Sequence, residues 1–384
     1  MSKFTDANLV TLLRNGQEYF PALITAIQEA TQEIYLLTYI FELDVIGSCV
    51  GDALKQAASR GVKVYMLLDG FGCKDLSTDY INGLQNSGIK VLIFNPKISP
   101  WTLQRSRLRR MHSKMVVIDY LIGFVGGINV IDDYHASKNE KLPRIDYAIK
   151  VEGALVERMR KSAMSFFKAN FFVKTITPSN KPLKHKLTIK HDENVKAAFL
   201  IRDNFRHRRE IEAAYLNGIR HAKKEIIIAN AYFLPGIRFR HALRNAAARG
   251  VKVTLLLQSK VEFLLLDLAT RALYTSLLES GVVIYEYHQS AMHSKVAVID
   301  EHWAMVGSSN IDPFSLLLSH EANVLVDDAE FNKSLKDDLK KSIEEGADLV
   351  TLEAWSRRSL FQRFISWLVY GFVRLLIGFS GYSK

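Results

Sequence analysis

The sequence predicts an α/β protein of two tandem, duplicated α-β-α halves, mixed sheets flanked by helices, forming one pseudo-symmetric body around a shared site. Three observations carry that expectation. Short β-branched runs alternate with helical segments; the same blocks recur in the same order in both halves; and one nonapeptide is spelled almost identically twice, MHSKMVVID at 111–119 and MHSKVAVID at 292–300.

Each half opens on a helix, seen in the 3.6-residue spacing of LITAIQEA (23–30). An apolar run follows, ATQEIYLLTYIF (30–41), matched by AKKEIIIANAYF (222–233). The next helix ends near Gly and feeds a second run, so AASRGVKVYMLLDG (57–70) answers AAARGVKVTLLLQS (246–259). A third pair is NSGIKVLIF (86–94) and ESGVVIYEY (279–287), after which come the nonapeptide and one more apolar run. Runs this continuously apolar belong to a mixed or parallel sheet covered by helices on both faces. The halves are placed at 1–175 and 195–348. A linker at 176–194, with two prolines and four lysines, joins them, and a tail covers 349–384. The first half adds a basic loop, NPKISPWTLQRSRLRR (95–110), whose Trp101 suits a lid over the site.

Composition bounds the function. The 384 residues are 48% hydrophobic, enough for a large core, and 51 Lys plus Arg against 40 Asp plus Glu give a net charge of +11, which favours anionic partners, nucleic acid or acidic lipid. Cys49 and Cys73 have no metal-ligand spacing and read as small buried side chains, with neither a disulfide framework nor structural zinc. MSKFTDANLVTLL has no charged segment followed by a long apolar one, so no cleaved leader is expected and the chain is placed in the cytosol.

The nonapeptide carries the chemistry. On a strand, residues i and i+2 face the same way, so His112 with Lys114, and His293 with Lys295, each present an imidazole beside an ammonium. Asp119 and Asp300 follow at the strand's end, then small-residue turns ending in an amide, GGIN (126–129) and GSSN (307–310). Two such sets facing each other suit a phosphodiester. Lysines and the amides of Asn129 and Asn310 neutralise phosphoryl oxygens, one imidazole attacks phosphorus, and the other protonates the leaving oxygen. Lys114 and Lys295 bring the charge a divalent ion would otherwise supply, so no metal or other cofactor is expected.

At these residues the chain resembles the phospholipase D superfamily, whose mark is a duplicated H-x-K-x4-D motif followed by a Gly-rich turn and Asn. The resemblance implies a covalent phosphohistidine, with His112 as nucleophile and His293 as general acid, then base. It also implies a histidine-orienting carboxylate on a later strand, matched by Asp146 in RIDYAIKVEG and Glu321 in SHEANVLV, each downstream of its own half's His. Where the superfamily prefers Ser after the turn's first Gly, the first half has Gly127 and the second Ser308, which leaves Ser308 as a phosphate donor on one side only.

The tail WSRRSLFQRFISWLVYGFVRLLIGF (355–379) has an apolar stretch shorter than a membrane span needs, and its polar residues Ser359, Arg363, Ser366, Tyr370 and Arg374 fall on one stripe of a helix. Such a helix lies in the membrane interface, with Trp355, Arg363, Trp367 and Arg374 meeting lipid. With TYIFELDVIG and GSSNIDPFSLLLSHEANVLV, the tail makes the chain most similar to bacterial cardiolipin synthases of the shorter type, without N-terminal transmembrane helices. The resemblance implies phosphatidyl transfer from one phosphatidylglycerol to another, at the cytoplasmic face of a bacterial membrane. Anionic phospholipid is then both substrate and surface, and no nucleic acid partner is expected. Two other functions stay open at this point: a nuclease or other phosphodiesterase on the same scaffold, favoured by the charge, and a membrane scaffold with a vestigial site.

Overall fold

The computed structural model describes residues 3–96, 109–134, 142–170, 194–204, 206–259, 264–357 and 359–379. Trp101 with its basic loop, and all of the 176–194 linker except Asn194, lie outside the described residues.

The first half runs β1 (Thr5–Arg14), α1 (Asn15–Glu29), β2 (Glu33–Thr38), α2 (Val45–Ser59), β3 (Lys63–Asp69), α3 (Thr78–Asn86), β4 (Lys90–Phe94), β5 (Lys114–Ile118), β6 (Ile122–Gly126), β7 (Tyr147–Gly153) and α4 (Ala154–Asn170). The second repeats it as β8 (Val195–Arg202), α5 (Glu210–His221), β9 (Glu225–Asn230), α6 (Ile237–Ala248), β10 (Lys252–Gln258), α7 (Leu264–Arg271), α8 (Tyr274–Leu278), β11 (Val283–Tyr287), β12 (Lys295–Ile299), β13 (Trp303–Gly307), α9 (Pro313–Leu317), β14 (Glu321–Asp327) and α10 (Ala329–Gly346). Then come β15 (Ala347–Val350), α11 (Leu352–Ser356) and α12 (Leu360–Phe379).

Among the described residues the fifteen strands form one mixed sheet, ordered β15-β11-β10-β9-β12-β13-β14-β8-β1-β7-β6-β5-β2-β3-β4. Each half keeps a parallel trio (β2-β3-β4, β9-β10-β11), as its apolar runs require, and adds the antiparallel strands of its motif. The join is the antiparallel pair β1 and β8. The sequence pattern did not signal either strand, since β1 is only patchily buried and neither belongs to a repeated block.

The sheet also turns back on itself, so that β13 and β14 come within 8 Å of β7 and β6. One apolar core fills the space between the halves, with Phe167 of α4 and Leu339 of α10 each 1% exposed within it. Burying a side chain of that size stabilises by about 1.5–3 kcal/mol, so these two helices hold the halves as a unit. Two further cores lie on the outer faces, one per half.

Two expectations are corrected here. Cys73 is buried but Cys49 is exposed on α2. Trp355 does not face outward. It is buried in the second half's outer core, its ring 4.7 Å from that of Tyr274. On α12 Tyr370 and Val373 are buried against the protein, while Trp367, Leu368, Phe372 and Leu375 stay at least half exposed. Arg374 is exposed beside Tyr370, and Arg363 lies one turn into the same helix. Among the described residues no helix is long and apolar enough to cross a membrane.

Candidate active site

The strands place both motifs at one edge. Thr38 and Asp69 end β2 and β3, Lys114 begins β5 and Tyr147 begins β7, and the second half repeats this with Asn230, Gln258, Lys295 and Glu321. Ahead of β5 and β12 the chain extends by two short bridges that cross between halves. His112 N–H donates to His320 O at 3.0 Å, and His293 N–H donates to Ile145 O at 2.8 Å.

The side chains cross too. His112 Nδ1 lies 3.0 and 3.1 Å from the two oxygens of Glu321, and His293 Nδ1 lies 2.7 Å from Asp146 Oδ2. Each imidazole is therefore oriented by the other half's carboxylate, where the sequence reading had paired it with its own. With Nδ1 engaged, the Nε2 of each ring is left for chemistry.

The lysines complete the site. Lys114 Nζ donates to His112 O at 2.8 Å and sits 5.1 Å over the Tyr39 ring; Lys295 Nζ donates to His293 O and lies 2.9 Å from His293 Nδ1. Burial, then the facing Lys295 ammonium, lowers Lys114 to about 7, and burial lowers Lys295 to about 8. Burial lowers the proton affinity of His112, which Glu321 partly restores, and lowers that of His293 well below its ordinary value, aided by Lys295, Arg144 and Lys114. Asp146 is pushed up to about 6 by burial, against the pull of Lys295. The two lysines and two histidines share one electrostatic field with Asp146, poised for an anion.

A family profile described as "Cardiolipin synthase, PLD-like domain" matches residues 23–162 and 215–343, one stretch around each motif. The chain belongs to the phospholipase D-like cardiolipin synthase family. It is 38% identical over 370 residues to cardiolipin synthase B of Escherichia coli (strain K12), covering 96% of this chain and 88% of that one. A minor cardiolipin synthase of Bacillus subtilis (strain 168) is 29% identical over 363 residues, covering 94% and 87%. Among solved structures, phosphatidylserine synthase of Haemophilus influenzae Rd KW20 shares the fold, with a TM-score of 0.69 at 13% identity, covering 96% of this chain and 93% of that one.

Within this cardiolipin synthase-family site, several residues sit elsewhere than their motif suggests. Asp119 and Asp300 are at the far ends of β5 and β12, in left-handed backbone at φ 50 and 53. Asp119 accepts the N–H groups of Thr31, Gln32 and Glu33 and the Thr31 hydroxyl; Asp300 accepts those of Lys223, Lys224 and Glu225. A five-residue strand separates them from the lysines, about 16 Å at ~3.3 Å per residue, so both are fold staples and the catalytic expectation for them is withdrawn.

Ser308 is likewise not turned to a substrate phosphate. Its hydroxyl donates to Glu321 Oε2 at 2.5 Å and accepts the Ala322 N–H, which makes it a support for the carboxylate. The first half lacks this support for a steric reason, since a Cβ on Gly127 would stand 2.2 Å from Asp146 Oδ1. Asn129 is buried with its Oδ1 accepting the Ile40 N–H. Asn310 is buried with Oδ1 unpaired.

Sequence reasoning missed Asp69 and Gln258, whose side-chain oxygens accept the N–H groups of Met111 and Met292 and so fix the approach to each motif. They stand next to last in the matched blocks LLDG and LLQS, a signal that was there to read. Tyr39, its ring 4.8 Å from that of His112, stands where the second half has Ala231, and so marks the two sides as different. No cluster of three metal-ligating side chains occurs among the described residues.

Proposed function

We propose that the chain is a phosphatidyltransferase that makes cardiolipin and glycerol from two molecules of phosphatidylglycerol, through a phosphohistidine. The observation that carries this is the crossed pair of histidine–carboxylate contacts around two buried lysines, in a chain of this family.

His112, with Nδ1–H held by Glu321, attacks phosphorus through Nε2. The P–O bond to the headgroup glycerol breaks, and His293 Nε2–H gives that oxygen its proton. The phosphodiester's own charge raises the proton affinity of His293, offsetting the cations that lower it in the free protein. Lys114 and Lys295 hold the equatorial oxygens, where charge grows in the transition state, with the Asn129 and Asn310 amides beside them; one such donor is worth about 10²–10³ in rate. The same anion returns both lysines to the ammonium state, so binding and protonation are linked. In the second half-reaction His293 takes the proton of an acceptor hydroxyl, which attacks phosphorus as the P–N bond breaks.

We place the enzyme on the cytoplasmic face of the bacterial membrane. The +11 charge suits anionic lipid, and Trp367, Leu368, Phe372 and Leu375 offer α12 an apolar side to insert, with the exposed Arg374 on the same helix. In this reading residues 1–175 and 195–348 act as one catalytic unit joined by 176–194, and within the tail 349–384 the membrane-facing element is α12.

The test is product analysis with headgroup-labelled phosphatidylglycerol in mixed micelles, in the presence of chelator. Cardiolipin and free glycerol, both absent with His112→Ala and with His293→Ala, are expected; cleavage of DNA with no lipid product would overturn the proposal.

A further inference from the structure

We propose that Arg144 is the binding site for the phosphodiester of the acceptor lipid, distinct from the phosphate undergoing transfer. The inference rests on the phosphatidyl transfer proposed above.

Arg144 comes two residues before Asp146. The intervening Ile145 is clamped at both backbone groups, its N–H donating to Ala291 O at 2.9 Å and its carbonyl accepting the His293 N–H at 2.8 Å. In this extended segment residues i and i+2 share a side, so Arg144 leaves the chain on the side from which Asp146 reaches His293. Its guanidinium is in the field of the site, lowering the proton affinity of His293 and Lys295.

Among the described residues no carboxylate lies within 4 Å of that guanidinium. Arg14, Arg160 and Arg271 all have carboxylate partners. Asp133, which feels Arg144, spends Oδ2 on the Gly16 N–H at 2.6 Å. A half-buried arginine that Asp133 and Asp146 attract only through space, beside a site that takes phosphodiesters, is a ready anion receptor.

The pseudo-symmetry shows which anion. On the His112 side the matching position is Ser319, whose carbonyl is taken by Arg202, so Arg144 has no counterpart at the equivalent position of the other half. His293 is the group that protonates the departing glycerol and later deprotonates the incoming hydroxyl. The departing headgroup is neutral glycerol, which offers an arginine no charge. The incoming phosphatidylglycerol carries its own phosphodiester, five covalent bonds from the attacking oxygen, and that phosphate must lie on the His293 side. Arg144 is there to hold it while it stays intact.

The experiment compares two acceptors in the full-length protein. Vesicles of phosphatidylglycerol are incubated with labelled free glycerol, and cardiolipin formed is measured against label exchanged into phosphatidylglycerol. Arg144→Gln should lower the cardiolipin-to-exchange ratio about ten- to a hundredfold, the worth of one charge-assisted contact, and raise the apparent KM for acceptor lipid; Arg144→Lys should recover part of both. An unchanged ratio, with both products falling together or neither falling, would overturn the assignment. A wild-type protein that makes neither product would instead overturn the phosphatidyl transfer reading, and this site with it.

Discussion

Asp119 offers a clear test of how far a motif's letters and its chemistry coincide. Its carboxylate accepts from Thr31 N at 2.5 Å, Thr31 Oγ1 at 2.8 Å, Gln32 N at 2.8 Å and Glu33 N at 2.9 Å, fastening the turn after β5 to the entry of β2. In Asp119→Asn one acceptor becomes a donor, leaving a Thr31 group unpaired, and the other bonds lose charge assistance. An unsatisfied buried donor costs about 1–3 kcal/mol. Thr31 is exposed and water can relieve part of it, so we expect about 2 kcal/mol and a melting temperature lower by roughly 2–4 °C. Asp300→Asn, with three bonds at a more exposed site, should cost about half as much. Thermal melts followed by circular dichroism, paired with turnover at 25 °C per folded molecule, read the two effects separately. Turnover within about twofold of wild type is expected, since the turn is a strand's length from the lysines. An Asp119→Asn protein that melts normally but loses a hundredfold or more in turnover would refute the staple and return the carboxylate to the chemistry.

Crossed orientation predicts that Glu321→Gln lowers the proton affinity of His112 and leaves that of His293 alone, while Asp146→Asn moves His293, as histidine titrations by NMR would show; the reverse pattern would contradict the geometry. A lysine with a lowered value loses its charge as pH rises through it. Hence kcat/KM should fall on the alkaline side from about pH 7–8, where Lys114 and Lys295 discharge in the free protein, with kcat holding to higher pH because bound phosphate restores them; a kcat/KM flat to pH 9 would count against phosphate binding by these groups. His320, buried between Phe94 and Phe166, is lowered to about 4. The unfolded chain takes up that proton near pH 6.5 and the folded one does not, so about 3 kcal/mol of stability present above pH 6.5 is lost on going down to about pH 4, and His320→Gln should flatten that acid-side slope in denaturant titrations. Trp367→Glu with Phe372→Glu should free the protein from anionic vesicles without lowering its melting temperature, whereas Trp355→Ala should cost about 3–5 kcal/mol of stability, because only the last is in the core.

What the sequence made legible was whatever the duplication copied. The blocks around 30–41 and 222–233, and around 57–70 and 246–259, became the parallel strands β2, β3, β9 and β10 because their apolar runs can be buried on both faces. What stayed hidden was set by contacts between the copies. β1 and β8 bear no shared block, yet they join the two halves into one sheet. His112 and Glu321 are 209 positions apart, and His293 and Asp146 are 147 apart, so no local spacing rule could choose between crossed and uncrossed pairs. The tail was legible only in part, because Trp355 and Tyr370 pack onto the second half's outer core, a contact between distant segments that helical spacing within the tail does not encode.

The departures from symmetry carry more information than the symmetry does. Gly127 with Asp146, and Ser308 with Glu321, are two solutions to one packing problem: the shorter carboxylate lies so close to its turn that no Cβ fits, while the longer one leaves room for a hydroxyl that grips it. Exchanging one member alone must fail on steric grounds in the first half and on hydrogen bonding in the second, so each turn and its carboxylate have to change together. The two histidines are thereby given different surroundings, one beside Tyr39 with a carboxylate doubly held, the other beside Lys295 and Arg144. A reaction in which one imidazole stays bonded to phosphorus while the other moves a proton twice needs that inequality, and a duplicated fold supplies it by letting a few side chains diverge around a conserved frame of backbone bridges.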